Sequence, residues 1–336
     1  MNYDPIIPTG LAVIMGLVAA SMWGTWFISL KYLGKYPLEA FYITLFVTSM
    51  VLVWGVGFLL DGSALVGNMR DVWSVDPSRL IVTFICGTLY VAGMQLSLRV
   101  IKVIGLSLSQ PLSASINLIG GTLLSGLVGG VPESLTVWRV AIAAAFLMAA
   151  IYFTMKAGSV RNKAQEEAQV DTGLSRDPKV IRNAIIMVVI GAAFVPAYST
   201  GLSYGLKSIT QPNGMAVMPF MAVLCSGAFV SALLICGTTL TIRKQWSVFW
   251  ENGFKIHKFG LLSGLAHYGG NIIHTFATRN LSSVVSWPLG ITAGLWTQMW
   301  GLVYGEFKGS PKKTYLYLFL GIICYLVGAF VISNIL

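Results

Sequence analysis

Ten runs of mostly apolar residues divide the chain, at 9–30, 37–60, 78–98, 103–128, 135–156, 181–205, 212–238, 259–279, 281–304 and 314–335. A helix needs about 20 such residues to cross a hydrocarbon core of about 30 Å, so each run predicts a membrane span. Inside lipid the backbone has no water to bond, and a helix satisfies its own polar groups. The predicted fold is an all-α polytopic bundle. Only 10% of the 336 residues are charged and 56% are hydrophobic, against roughly 25% charged in soluble domains. That excludes a water-facing globule, and with 12% aromatic residues it also excludes a disordered chain. The net charge of +10 does not point to nucleic acid, because the basic residues sit in short gaps between apolar runs. Cys86, Cys225, Cys236 and Cys324 all lie inside apolar runs with no C-x-x-C pair, so no disulfide framework, metal site or cofactor is expected. Residues 1–8 hold Asp4 and no Lys or Arg, which predicts a retained first span rather than a cleaved signal peptide.

The basic residues orient the spans. Loops 1–2, 3–4, 5–6, 7–8 and 9–10 carry 17 of the 22 Lys and Arg, and such loops stay preferentially in the cytoplasm. Both termini are therefore expected outside a plasma or inner membrane. The stretch from Lys156 to Arg182 holds ten of the 34 charges. It divides the chain into a first five-helix unit at 1–156, a charged cytoplasmic linker at 157–180 and a second five-helix unit at 181–336.

A shift of 177 residues lays Gly87 on Gly264, Tyr90 on His267, Gly93 on Gly270, Ser109-Gln110-Pro111-Leu112 on Ser286-Trp287-Pro288-Leu289, and Trp138 on Tyr315. A shift of 175 brings Gly16 and Trp23 onto Gly191 and Tyr198. The halves read as a repeat. With five spans in each, the second half enters the membrane from the opposite side, an inverted repeat that in secondary transporters places a substrate site near the midplane.

Pro111 and Pro288 hold matching places in spans 4 and 9, where each removes a backbone bond and predicts a kink or a gating point. Gly126/Gly130, Gly290/Gly294 and Gly301/Gly305 present small faces suited to close helix packing. Span 8 carries His267, Asn271 and His274 on one face, and span 4 carries Gln110, Ser113 and Asn117 at the same spacing. Polar groups in lipid turn inward, and together these offer donors and acceptors suited to a hydroxyl-rich ligand; the bland alternative is interhelical bonding that holds the bundle. Trp23 and Trp287, with Tyr90, lie deep enough in their spans to stack on a sugar ring, although core packing serves as well for any one of them. Carboxylates are scarce: Glu39 begins span 2 and Glu306 ends span 9. Glu39 and His267 are the leading proton-coupling candidates, with His274 a third. Gly201-Leu202-Ser203-Tyr204-Gly205 spells G-x-S-x-G at the end of an apolar helix, without the strand-turn-helix that a nucleophile elbow needs.

Gly305-Glu306-Phe307-Lys308-Gly309, followed by Gly321 and Gly328, resembles the closing motif of the drug/metabolite transporter superfamily. Ser286-Trp287-Pro288-Leu289 with Trp300-Gly301, Pro37-Leu38-Glu39 and Lys102-x-x-Gly105-Leu106-Ser107 are similar to its sugar branch, the glucose/ribose porters and the rhamnose-proton symporter. The first half departs from the pattern, with Gly130-Val131-Pro132-Glu133 in place of a plain Gly-Glu. The resemblance implies ten transmembrane helices in two inverted five-helix repeats, a sugar as substrate and a coupled proton.

The expectation is a proton-coupled importer of a sugar or sugar-like polyol, not an enzyme, working by alternating access within the lipid bilayer; a monomer suffices for it. Hydroxyl recognition is expected from Gln110, Asn117, His267, Asn271 and His274, and ring stacking from Trp23, Trp287 and Tyr90. Two other classes stay open: an exporter of drugs or amphipathic metabolites, and, more remotely, an intramembrane hydrolase using Ser203 with His267 or His274.

Overall fold

A computed structural model describes residues 2–104, 106–167 and 177–333; for 98, 99, 101–104, 106–112 and 165–167 it describes the backbone alone. Among the described residues the secondary structure is helical, with one isolated bridge between Leu206 and Met215. The helices in chain order are α1 Thr9–Trp23, which continues as a 3-10 helix Trp26–Tyr32, α2 Leu38–Asp61, α3 Ala64–Val75, α4 Ser78–Ile104, α5 Leu106–Gly129 and α6 Val137–Glu167. They are followed by α7 Pro178–Phe194, α8 Ala197–Gly205, α9 Val217–Ile242, α10 Val248–Glu251, α11 Gly253–Leu281, α12 Ser283–Ile291, α13 Ala293–Val303 and α14 Lys312–Ser333.

Seven helical stretches among the described residues are long and apolar enough to cross a membrane: Thr9–Tyr32, Leu38–Asp61, Ser78–Ser97, Val137–Ala164, Pro178–Gly205, Val217–Ile242 and Lys312–Ser333. The other three predicted runs fall short for separate reasons. The described apolar part of α5 is Ser113–Gly129. Helix α11 is long, yet it carries Lys255, His257 and Lys258 at one end and the polar stripe His267, Asn271, His274 along its length. The run at 281–304 is interrupted at Thr292, after Pro288, into α12 and α13.

Packing joins the two parts of the chain along most of their length. Helix α4 packs on α7, α8 and α9, while α11 packs on α1 and α2; α2 meets α9, α5 meets α8 and α12, and α6 meets α14. Glycines permit the closest of these approaches. A Cβ on Gly87 would lie 2.1 Å from the Leu224 carbonyl oxygen across α4 and α9, and one on Gly264 would lie 2.6 Å from that of Leu45 across α11 and α2. Likewise Gly93 packs on Gly191 of α7, and Gly270 on Trp23 of α1. Van der Waals contact without a side chain between the backbones is what small residues contribute in a bilayer, where no hydrophobic force pulls helix to helix.

The bundle has two distinct ends. At one, residues 2–8 run across the ends of α2, α8 and α11: Asn2 Nδ2 donates to Asp61 Oδ2 at 2.8 Å, and the Ile7 N–H donates to Asn280 Oδ1 at 3.0 Å. At the other, Lys31 pairs with Glu306, Tyr32 and Tyr304 share a hydroxyl bond at 2.9 Å, and Glu39 pairs with Arg243 at 3.4 Å.

Candidate functional site

Three helices break close to one another. After Trp23, α1 gives way at Gly24 and Thr25 to the 3-10 segment; α7 stops before Val195 and Pro196 and resumes as α8; α12 yields to α13 at Thr292. Proline at 196 and 288 cannot donate to the helical ladder, and the carbonyls so freed need partners. Beside the breaks, side-chain hydroxyls add bonds to other backbone carbonyls. Ser199 Oγ and Thr200 Oγ1 donate to the Pro196 carbonyl at 2.8 and 3.1 Å, and Ser263 Oγ donates to that of Trp26 at 2.7 Å. Irregular backbone at membrane depth persists where it is buried in protein or lines a cavity.

Here it lines a cavity of about 300 Å³. Its wall takes Trp23, Trp26 and Phe27 from the first break, Val195 from the second, and Gly290, Ile291, Ala293 and Gly294 from the third. Ser97, Ser113, Asn117, Thr154, Thr297 and Gln298 add neutral polar groups, and Arg161, Glu306 and Phe307 stand where the cavity reaches the helix ends. Arg161 and Glu306 face each other at 3.4 Å, so the charged groups of the wall compensate one another. Such a space, apolar and aromatic with a few convergent hydrogen-bonding groups, suits a small uncharged ligand.

Two tryptophans, each tied to the other half of the chain, form its deep end. Trp23 Nε1 donates to Asn271 Oδ1 at 2.8 Å, and Trp287 Nε1 donates to the Asn117 carbonyl at 2.9 Å. Each ring is seated on a glycine. A Cβ on Gly290 would come within 2.5 Å of Trp23 Cζ3, and one on Gly121 within 2.0 Å of Trp287 Nε1. Tyr198 stands between them, its ring 5.9 Å from both indoles and 5.4 Å from Tyr90. Among the described residues, Asn117 Oδ1 is buried without a hydrogen-bond partner and belongs to a residue of the cavity wall.

The expected site residues therefore divide. Trp23, Trp287 and Asn117 line the cavity. His267, Asn271 and His274 share one buried face of α11, behind the tryptophans: the His267 ring lies 5.2 Å from Trp26 and the His274 ring 4.7 Å from Trp23. His274 Nε2 is 2.9 Å from the Ser286 carbonyl. Tyr90 is also buried, its hydroxyl 2.5 Å from that of Tyr268. Glu39 does not line this cavity and pairs with Arg243. Pro288 is buried within α12, one turn before the break. The side chains of Gln110 and Pro111 lie outside the described residues. Ser203 Oγ bonds the Ser199 carbonyl at 2.8 Å and Ser283 Oγ at 2.5 Å, and its partners include no histidine.

Arg161, Thr297 and Gln298 were not visible as site residues in the sequence. Arg161 belongs to the charged stretch that reads as linker, but α6 extends to Glu167 and carries the guanidinium back to the cavity. Thr297 and Gln298 sit among tryptophans that read as core packing. Their place three and four positions after Gly294, just past the break at Thr292, is the signal that marks them.

Apolar helices of spanning length around an internal cavity of about 300 Å³ define a multi-pass membrane protein. No protein-family model matches the sequence. The probable glucose uptake proteins GlcU of Staphylococcus aureus strains MRSA252 and Mu50 are each 24% identical to it over 326 residues, covering 97% of this chain and 99% of theirs. Relatives named for uptake, aligned end to end with a helical membrane bundle, place the chain among transport proteins and not enzymes.

Proposed function

We propose that the protein is a secondary transporter that takes up a sugar or sugar-like polyol with protons, by alternating access between inverted units at 1–156 and 181–336, joined by the cytoplasmic stretch 157–180. The observation that carries this reading is the meeting of three broken helices at one cavity walled by two opposed tryptophans. Two of the breaks fall within about one turn of each other: the shift of 175 that lays Trp23 on Tyr198 lays Gly24 and Thr25 on Ser199 and Thr200, just past the break at Val195 and Pro196. Interrupted helices in corresponding places of two halves are where such carriers hold their substrates. Exchanging the halves also maps α4 on α9 to α11 on α2, and α1 on α11 to α7 on α4, which supports inverted units of one drug/metabolite transporter design.

Flat indole faces suit the C–H face of a pyranose, and Asn117, Ser113, Thr297 and Gln298 suit its hydroxyls. The names of the staphylococcal relatives favour glucose among sugars. His267, Asn271 and His274 act in this reading by holding the tryptophans, and Tyr90 by backing Tyr198. For the proton, Glu306 joins Glu39 and His267 as a candidate, because it is the carboxylate that reaches the cavity wall among the described residues. Pro288 and Pro111 serve as the hinges of spans 9 and 4. Both termini face outward, which puts the Lys31, Glu306 and Arg161 end in the cytoplasm.

The test is uptake into proteoliposomes of a panel of labelled monosaccharides, with and without an inward proton gradient. Saturable sugar uptake, raised by the gradient, is expected. No sugar flux under any gradient sinks the reading, and flux of amphipathic cations alone would transfer the protein to the exporters.

A further inference from the structure

Each end of the bundle carries one acid held between two bases, and the two clusters differ in where the acid comes from. At the cavity end, Glu306 binds Lys31 through Oε1 and lies 3.4 Å from Arg161 Nη1 through Oε2. At the far end, Asp4 binds Arg279 Nε through Oδ1, while Oδ2 lies 2.7 Å from Arg279 Nη2 and 3.4 Å from Lys207 Nζ. The bases correspond: a shift of 176 lays Lys31, at the end of the broken α1, on Lys207, at the end of the broken α7 and α8. The acids do not. The first-half segment matching Gly305-Glu306 is Gly129-Gly130-Val131-Pro132-Glu133, whose Glu133 is exposed, and Lys207 pairs instead with an aspartate of residues 2–8.

We infer that residues 2–8 form a latch, with Asp4 taking the place of the acid missing from the first half, and that this latch shuts the end opposite the cavity. The inference rests on the alternating-access reading. The latch ties first-half residues to second-half ones at several points. Besides the Asp4 pairs, the Ile7 N–H binds Asn280, and the Tyr3 ring packs edge-on to Phe276 at 5.9 Å. Asn2 and the Tyr3 N–H both bind Asp61 at the end of α2, so the strap is anchored on its own half before it reaches across. The central pair is the more covered one at this end: the Asp4 and Arg279 side chains are 17% and 12% exposed, against 38% and 31% for Lys31 and Glu306, while the outer bases run the other way, Lys207 at 44% and Arg161 at 15%. Beneath the latch Gly129 of the first half packs on Ser203 of the second, a Cβ there coming within 3.0 Å of Ser203 Cβ; Ser203 in turn bonds Ser283, which is 4% exposed. A path from that face to the cavity opens only when Arg279 and Lys207 leave Asp4, because first-half α5 must then part from α8 and α12 at Gly129, Ser203 and Ser283.

The test uses the full chain with Cys86, Cys225, Cys236 and Cys324 replaced by Ala and Ser283→Cys added, in lipid nanodiscs where both faces meet a charged thiol reagent. Asp4→Asn is expected to speed modification at position 283 about tenfold, the population shift that loss of one partly buried charge pair brings. Asp4→Glu is expected to keep the slow rate. The triple exchange Asp4→Lys, Lys207→Glu, Arg279→Glu is expected to restore it, which guards against a variant that merely folds badly. An unchanged rate in Asp4→Asn, or a fast rate in the triple exchange, overturns the latch. Sugar flux measured on the same preparations separates the two ideas. A rate that responds in a parent protein without flux discards the transporter reading and keeps the latch, and flux with an unresponsive rate does the reverse.

Discussion

The indole N–H of Trp23 donates to the side-chain oxygen of Asn271 at 2.8 Å, across 248 residues of sequence and from the first half of the chain to the second. The bond fixes an aromatic wall of the cavity with a group that does not itself line it. Asn271→Ala leaves a buried indole N–H without its acceptor, a loss of about 1–3 kcal/mol. The expected result is sugar affinity weakened about tenfold with folded yield kept, read by uptake against concentration and by tryptophan fluorescence. Asn271→Asp keeps the acceptor and is expected to retain the tryptophan signal. Unchanged affinity in Asn271→Ala would falsify the positioning role.

Gly121 and Gly290 are the seats of Trp287 and Trp23, with no room for a methyl at 2.0 and 2.5 Å. Overpacking of this kind costs about 1–3 kcal/mol, and here it displaces the indoles. Gly121→Ala and Gly290→Ala are expected to abolish measurable uptake while Gly55→Ala, whose Cβ meets nothing within 4 Å, transports normally. Equal uptake by all three would show that indole placement does not matter.

Glu306 and Glu39 separate the coupling role. Glu306→Gln removes the charge that Lys31 and Arg161 share at the cavity end, whereas Glu39→Gln removes one partner of Arg243 away from the cavity. Uptake driven by a proton gradient is expected to fall about tenfold or more in Glu306→Gln, with exchange of internal for external sugar preserved, and to change little in Glu39→Gln. The reverse pattern would move the coupling site to Glu39.

Asp76, outside the spans, begins α4: its carboxylate accepts from the Ser78 hydroxyl and, at 3.2 Å, from the Ser78 N–H, and it pairs with Arg79 at 3.1 Å. The Ser78 hydroxyl bond is the main reason its pKa lies below the ordinary carboxylate value, with Arg79 adding to it. A folded pKa below the unfolded one stabilises the fold at pH above the unfolded value of about 4, and that contribution disappears as pH falls through the lower folded value. Melting temperature measured from pH 6 to 3 is expected to fall more steeply in the parent than in Asp76→Asn, because the variant has no proton to take up there. Parallel curves would show that Asp76 contributes nothing to acid sensitivity.

The polar stripe of α11 shows what a sequence reading reaches and where it stops. Helical spacing put His267, Asn271 and His274 on one inward face, and they are buried on one face. Periodicity carries no information about what covers that face, and α1 lays Trp23 and Trp26 over it, so the stripe became a support for the cavity wall instead of the wall. Trp23, Trp287 and Asn117 were recognised because aromatic and amide groups deep in apolar runs need a reason to be there. Arg161 escaped notice for the opposite reason, since a charge in a charged stretch looks ordinary until α6 is seen to continue through it.

What the sequence determined by itself is the solvent and the class of element. With 10% charged residues and long apolar runs, the chain can satisfy its backbone only as helices in lipid, a constraint that acts locally and can be read locally. The tertiary structure decided where those helices break, which side chains the breaks expose to one cavity, and which acids and bases meet at each end. Asp4 finds Arg279 across 275 residues, and Glu306 finds Lys31 across the same separation. Pairings of that range depend on how the helices pack against one another, and helix packing is a property of the assembled surfaces and not of any one run.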